Sequence, residues 1–289
     1  MRGTPIVKVI SMCHKPHAEV WKLTSDLMPN FLQADEFIVY VPDDEVSFFL
    51  EITNPKIRIL SQSALGIGYK ERLLNAIDAT GNSVRFGWYL QQFYKIEALL
   101  KHSVDADILV ILDADCIPLR KIPLVDDASR ILYLNLSTEF HKPYFECIDR
   151  LLGLKRVQNR TFITHPFPIR NAWIIELVQF IEARHGCSWA DAIIKTTDFS
   201  LLSGFSEFET LGTWIANSYP DAWASVSGKW ERLGQSRFGQ IENFDPEKLV
   251  KLGEKYGLDL VVFEHWDNRT LVNSIKRLAD KFLGLSKRT

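Results

Sequence analysis

The chain holds only four cysteines in 289 residues. Cys13, Cys116, Cys147 and Cys187 are far apart and form no CxxC pair. This suits reduced thiols in a cytosolic protein and argues against a disulfide framework. Charge of either sign is nearly balanced, with 34 Lys and Arg against 36 Asp and Glu. No global basic field is therefore present to attract nucleic acid. Long apolar runs are missing as well. The first one, IVKVISM, is broken by Lys8 and is too short for a signal peptide or a membrane span. No low-complexity tract or internal repeat stands out. What remains is ordinary globular composition, 46% hydrophobic and 24% charged, in enough chain for one large domain or two small ones.

Short β-rich runs alternate with helical patterns through the first half. Residues 6–12, 36–42, 56–60 and 107–112 read as strands. Residues 17–28, closed by Pro29, then 43–52 and 87–102, read as helices. In the last of these Phe86, Leu90, Phe93, Ile96 and Leu100 form one apolar stripe. Continuous apolar strands alternating with helices predict an α/β fold with a mainly parallel sheet covered on both faces. The second half predicts strands at 130–136 and 258–266. It predicts helices at 171–186, ended by Gly186, at 206–220, stopped before Pro220, and a basic helix in the tail. With no clear linker, residues 1–289 read as a single domain. Its halves are about 1–120 (nucleotide side) and about 121–270 (acceptor side), followed by the tail helix at 271–289.

The stretch ILVILDADCIPL (108–119) carries the chemistry. Carboxylates are almost never buried without a partner, so Asp113 and Asp115 either sit in a solvated turn or hold a cation. Ligands of parallel sheets bind outside the carboxyl ends of the strands, where this pair falls. A bare D-x-D is weak on its own, since Asp105 and Asp107 form another. On the preceding helix Trp88, Gln91 and Lys95 share a face opposite the apolar stripe, which is either solvated or turned to a ligand. In GFSEFETLGTW, Ser206 and Glu209 form a capping box. Glu207 lies in the first helical turn, where the helix dipole favours an anion. A carboxylate there, Glu207 before Glu209, suits a general base. The segment THPFPIRN (164–171) reads as an acceptor loop with His165 and Arg170 as polar contacts, or as a Pro-stiffened turn. His265, after the last strand, is a third metal ligand or packs beside Trp266.

A D-x-D directly after an apolar strand in mid-chain, followed by CIPL, resembles the metal-binding signature of GT-A glycosyltransferases. With GWYLQQFYKIEALL, GFSEFETLGTW and FEHW, the chain resembles bacterial GT-A-like nucleotide-sugar transferases of polysaccharide gene clusters over roughly residues 5–270. The resemblance implies a GT-A fold, a Rossmann-like mixed and mainly parallel sheet flanked by helices. It implies a nucleoside-diphosphate sugar donor, a UDP-sugar first, and a divalent cation, Mn²⁺ or Mg²⁺, held by Asp113, Asp115 and His265. Asp113 also contacts the donor, Lys95 pairs with its diphosphate and Gln92 with its sugar. The acceptor is a saccharide or lipid-linked saccharide. Such acceptors often sit on lipids, and the tail stripe Leu271, Ile275, Leu278, Phe282 and Leu285, set among lysines and arginines, suits an anionic bilayer surface or the protein's own sheet. The chain departs from glycogenin-like enzymes at EHWDN, where they carry a His-Gly-Lys signature. Two rivals remain. One is a haloacid-dehalogenase-like phosphatase, against which stand Ile117 two residues after the second acid and the mid-chain position. The other is a non-catalytic nucleotide- or sugar-binding protein.

Overall fold

A computed structural model describes residues 4–66, 68–264 and 267. Its first half runs β1 (Val7–Met12), α1 (Ala18–Phe31), β2 (Glu36–Val41), α2 (Val46–Ile52), β3 (Ile57–Ser61), α3 (Lys70–Asp78), α4 (Phe86–His102) and β4 (Ile108–Ile111). After it come β5 (Cys116–Pro118), β6 (Ile131–Leu134), α5 (Lys142–Leu152), β7 (Phe167–Arg170), α6 (Asn171–His185), α7 (Trp189–Thr196) and α8 (Glu207–Ser218). The described elements close with β8 (Trp223–Val226), β9 (Trp230–Glu231), α9 (Gly234–Phe238), α10 (Pro246–Tyr256) and β10 (Leu260–Val262).

The main sheet has the order β3-β2-β1-β4-β7. β1, β2, β3 and β4 pair in parallel, and β7 joins β4 antiparallel. The molecule is thus a mixed α/β structure with a mainly parallel sheet flanked by helices, compatible with a Rossmann-like fold. All four residues of β4 and five of the six in β1 and in β2 are buried. That is why these strands read as continuous apolar runs rather than alternating ones. The one cation in β1, Lys8, is buried between Glu36 at 2.9 Å and Asp105 at 2.6 Å.

Two smaller sheets flank the first: β5-β10-β9, and a parallel pair of β6 with β8. One large buried cluster includes residues from Val9 to Val262. A second joins Val20, Leu23 and Leu27 of α1 to Ile117 and Leu119 around β5, Leu249 of α10 and Val261 of β10.

Several expectations need correction. Pro29 does not close α1 but lies inside its last turns. It costs only one backbone hydrogen bond there and its fixed φ is helical, so the helix reaches Phe31. Residues 43–45 form a 3-10 turn before α2. The segment 164–171 is not a free loop: residues 167–170 are β7, a strand of the main sheet. His265 and the tail from 268 onward lie outside the described residues. Among the described residues no helix is long and apolar enough to cross a membrane.

Candidate functional site

β1 lies between β2 and β4, so the chain changes side of β1 after β3. Such a switch point opens a crevice at the carboxyl ends of the two diverging strands. β1 ends there in Cys13 and His14, whose ring stacks on His17 at 4.8 Å. β4 ends there in Leu112, Asp113 and Asp115.

Behind Asp113 stands Lys95 of α4. Its ammonium lies 2.6 Å from Asp113 Oδ1 and 2.8 Å from Glu207 Oε1, and 4.6 Å above the ring of Phe208. Only 3% of Lys95 is exposed. The polar face of α4 is therefore turned inward, against the start of α8. Burial pulls the Lys95 amine down, but Asp113 and Glu207 outweigh it and hold it above the ordinary lysine value. Burial likewise pushes the Asp113 carboxyl up. The Lys95 charge, helped by His165 and His17, more than offsets this, and Asp113 stays below the usual carboxylate range. Glu207 is held above that range by burial and by the charge of Asp113, against the pull of Lys95.

Gln92, one turn before Lys95, does not face a donor sugar. Its Oε1 accepts the backbone N–H of Glu207 at 3.1 Å, and its Nε2 donates to the carbonyl of Trp88. Ser206 Oγ accepts from Glu209 N at 3.3 Å. Two side chains thus satisfy two of the unpaired N–H groups that begin α8. The expected capping box is only half formed. The Glu209 carboxylate does not return to Ser206 but accepts from the Thr161 hydroxyl and from Phe162 N.

Asp115 has a different environment. Its backbone carbonyl accepts from Phe263 N at 3.1 Å, and the Cys116 thiol approaches its Oδ1 at 3.5 Å. Burial, then the charges of Asp113 and Glu264, push its carboxyl up to about 7. Glu264 pairs with Arg232 at 2.9 Å, and burial raises its carboxyl above the ordinary value.

His165 and Arg170, expected as polar contacts of one acceptor loop, lie toward opposite ends of β7. His165 Nε2 lies 3.4 Å from Asp113 Oδ2, and its ring meets Phe208 edge-on at 5.1 Å. Its Nδ1 is buried without a hydrogen-bond partner among the described residues. Burial lowers its pKa to about 4 despite the pull of Asp113, so the imidazole is neutral at pH 7. Arg170 pairs in register with Ile108, at the amino end of β4, and donates to the carbonyl of Ser129. The structure does not bring it to the acids.

Residues that the sequence reading missed complete the surroundings. Glu264 was within reach, because it directly precedes His265 in the sequence, at the end of the largely apolar run LDLVVF. Arg232 carried no signal, since nothing around it in sequence suggests a ligand. A cavity of about 230 Å³ lies on the other side of the α8 start, and Glu209, Arg232, His141, Tyr144, Thr161 and Ser203 are among its lining.

A divalent cation is tested by this donor set. Among the described residues no group of three or more His, Cys, Asp or Glu side chains is arranged to hold a metal ion. Lys95 occupies Asp113 Oδ1. The carboxylate oxygens that remain, on Asp113 and Asp115 with Glu264 nearby, are hard donors of the kind Mg²⁺ and Mn²⁺ take. These oxygens are chemically suited to a hard cation, whose remaining ligands would have to come from outside them.

Compared with curated proteins, the chain finds no match. Residues 23–217 match the model of a family described as "Family of unknown function (DUF6492)". The match takes in Gln92, Lys95, Asp113, Asp115, His165, Glu207 and Glu209, and covers more than half of the 289 residues. The chain belongs to this family.

Proposed function

We propose that the protein is a metal-dependent glycosyltransferase of GT-A type. It moves a sugar from a nucleoside-diphosphate sugar, a UDP-sugar first, to a saccharide or lipid-linked saccharide acceptor of bacterial surface polysaccharide. One observation carries this reading. Asp113 and Asp115 stand at the carboxyl end of β4, beside the crevice where β1 and β4 part, with one acid braced from behind by a buried lysine. Two carboxylates in that place suit a cation and a diphosphate better than a solvated turn.

In this reading Asp113 Oδ2 and Asp115 hold the cation, with His265 as the expected third ligand. When bound, the cation offsets the charge that gathers on the departing nucleoside diphosphate. The protein's own part is to fix the two acids. Lys95 takes one oxygen of Asp113 and keeps the other available, and Glu207 keeps Lys95 in place. Glu207 is then a positioning residue and Lys95 a brace, rather than base and diphosphate ligand. His165, neutral and packed against Phe208, stands 3.4 Å from the other oxygen of Asp113.

Calorimetric titration with UDP, GDP and CDP, each with and without Mn²⁺, tests the proposal. It expects binding of one diphosphate that requires Mn²⁺ and is lost in Asp115→Ala. Nucleotide binding of equal strength without metal, or no binding at all, counts against it. Phosphate release from p-nitrophenyl phosphate would instead support the haloacid-dehalogenase-like reading.

A further inference from the structure

The start of α8 is a wall with two faces. Residues two apart on a helix point to nearly opposite sides. Glu207 turns to Lys95 and Asp113, while Glu209 turns to the 230 Å³ cavity. We infer that this cavity is a subsite for one neutral sugar ring, held through its hydroxyls by the Glu209 carboxylate, Arg232, Tyr144 and Ser203. The inference rests on the transferase reading and assigns the acceptor's place within it.

Size comes first. The cavity is smaller than the roughly 300–1,000 Å³ that drug-sized ligands occupy, which leaves room for a single ring and not for a nucleotide. Its chemistry comes second. Hydroxyl, carboxylate, imidazole and guanidinium groups line it, with Ile163 as the one aliphatic side chain among the described residues of the lining. Such a lining rejects an acyl chain. Arg232 is already matched by Glu264 at 2.9 Å and Glu139 at 3.8 Å, so no unmatched positive charge invites a phosphate. A polyhydroxylated neutral ligand gains most, because each of its hydroxyls both donates and accepts.

The groups are also fixed in advance. Thr161 and Phe162 N hold the Glu209 carboxylate, and burial raises its pKa. Ser203 Oγ lies 3.1 Å from His141 Nε2, and the His141 ring meets the Tyr144 ring edge-on at 4.4 Å. Rigid polar groups lose little freedom when a ligand arrives.

The cavity and the acids are neighbours along the chain. Thr161 and Ile163 line the cavity, and His165 stands beside Asp113. The Cα atoms of Ile163 and His165 are at most about 7 Å apart. On the other flank, Arg232 joins the cavity to Glu264, whose charge is felt at Asp115.

Saturation-transfer NMR with methyl glycosides of glucose, galactose, mannose and N-acetylglucosamine tests the assignment on the full chain. At least one glycoside should bind. Tyr144→Phe, which removes a single oxygen, should weaken that binding by roughly tenfold, the loss of one hydrogen bond. Glu209→Gln should weaken it further. Unfolding midpoints confirm that both variants are folded. No glycoside bound to the wild type, or binding untouched in both variants, overturns the inference. UDP–Mn²⁺ titration of the same samples separates the two readings. Glycoside binding without UDP binding leaves the sugar pocket standing and removes the transferase. UDP binding without glycoside binding removes the pocket alone.

Discussion

Lys95 and Glu207, 112 residues apart in the chain, meet at 2.8 Å with both side chains almost wholly buried. The pair ties the central helix α4 to the start of α8, and through Asp113 ties both to the main sheet. Removing one partner of a buried ion pair costs far more than the pair itself contributes, because the other charge is left without compensation.

Lys95→Met should accordingly destabilise the protein by about 3–5 kcal/mol, measured by urea unfolding. Glu207→Gln should cost less, since Lys95 keeps Asp113. The double variant should fall well short of the sum, because the two side chains share one network. Additive losses would show that Lys95 and Glu207 act independently.

Glu207→Gln also separates two roles. If Glu207 positions Asp113 through Lys95, the variant weakens Mn²⁺-dependent UDP binding together with the rate of transfer. A pure loss of kcat, on the order of a hundred- to ten-thousand-fold with donor affinity unchanged, would restore Glu207 as the general base.

Asp115→Ala should abolish Mn²⁺-dependent UDP binding without lowering the unfolding midpoint. Its carboxyl is crowded by Asp113 and Glu264, so its removal relieves repulsion while taking away a ligand. Calorimetry and thermal unfolding on one sample decide it. A large fall in the midpoint would assign Asp115 to the fold.

Gly212 is the point where α8 packs closest to the 161–162 segment. A Cβ there would fall 1.9 Å from the Phe162 ring. Gly212→Ala should therefore destabilise by about 1–3 kcal/mol through overpacking, despite alanine's better helix propensity. Gly212→Ala should cost less in a Phe162→Ala background, which lacks the Cγ and ring atoms that the new Cβ meets. A neutral Gly212→Ala would show that the two segments part easily.

His102 supplies a pH dependence far from the acids. It is buried against the Tyr40 hydroxyl at 2.9 Å. Burial, helped by Lys8 and Arg58 and opposed by Asp105 and Glu36, lowers its pKa below the ordinary histidine value. The unfolded chain therefore takes up a proton first as pH falls. The stability that His102 contributes is complete above about pH 6.5 and is lost below it. Unfolding free energies at pH 8, 7, 6 and 5 should show wild type losing ground to His102→Gln as the pH drops. Parallel curves for the two proteins would refute this.

The sequence made the main sheet legible because burial on both faces leaves an unbroken apolar run, as in Ile108–Leu112. The D-x-D stood out for the same reason, since two charges ended such a run. Lys95 was visible only as a polar residue on an amphipathic helix. Helical spacing cannot tell a solvated face from one turned onto a second helix that lies 112 residues away. His165 and Arg170 looked equivalent as polar residues of one short segment. The antiparallel pairing of β7 with β4 sends them to opposite ends of a strand. β5 and β9, three and two residues long, are too short for any period to register, and only their distant partners define them.

β5 follows the acids at once, yet it is held by β10, and Asp115 itself is fastened by Phe263. A ribosome making the chain reaches residue 263 roughly 150 residues after Asp115, about 8–30 s later at 5–20 residues per second. Just before then β1 to β4 and β7 have every partner in their sheet, and Thr24 already holds the Ala114 carbonyl, but the backbone of Asp115 and β5 still lack their own partners. If the proposed function holds, the grip on a donor is acquired only after residue 263 has been made, and nascent chains cut short before residue 260 should hold much of the sheet without Mn²⁺-dependent UDP binding.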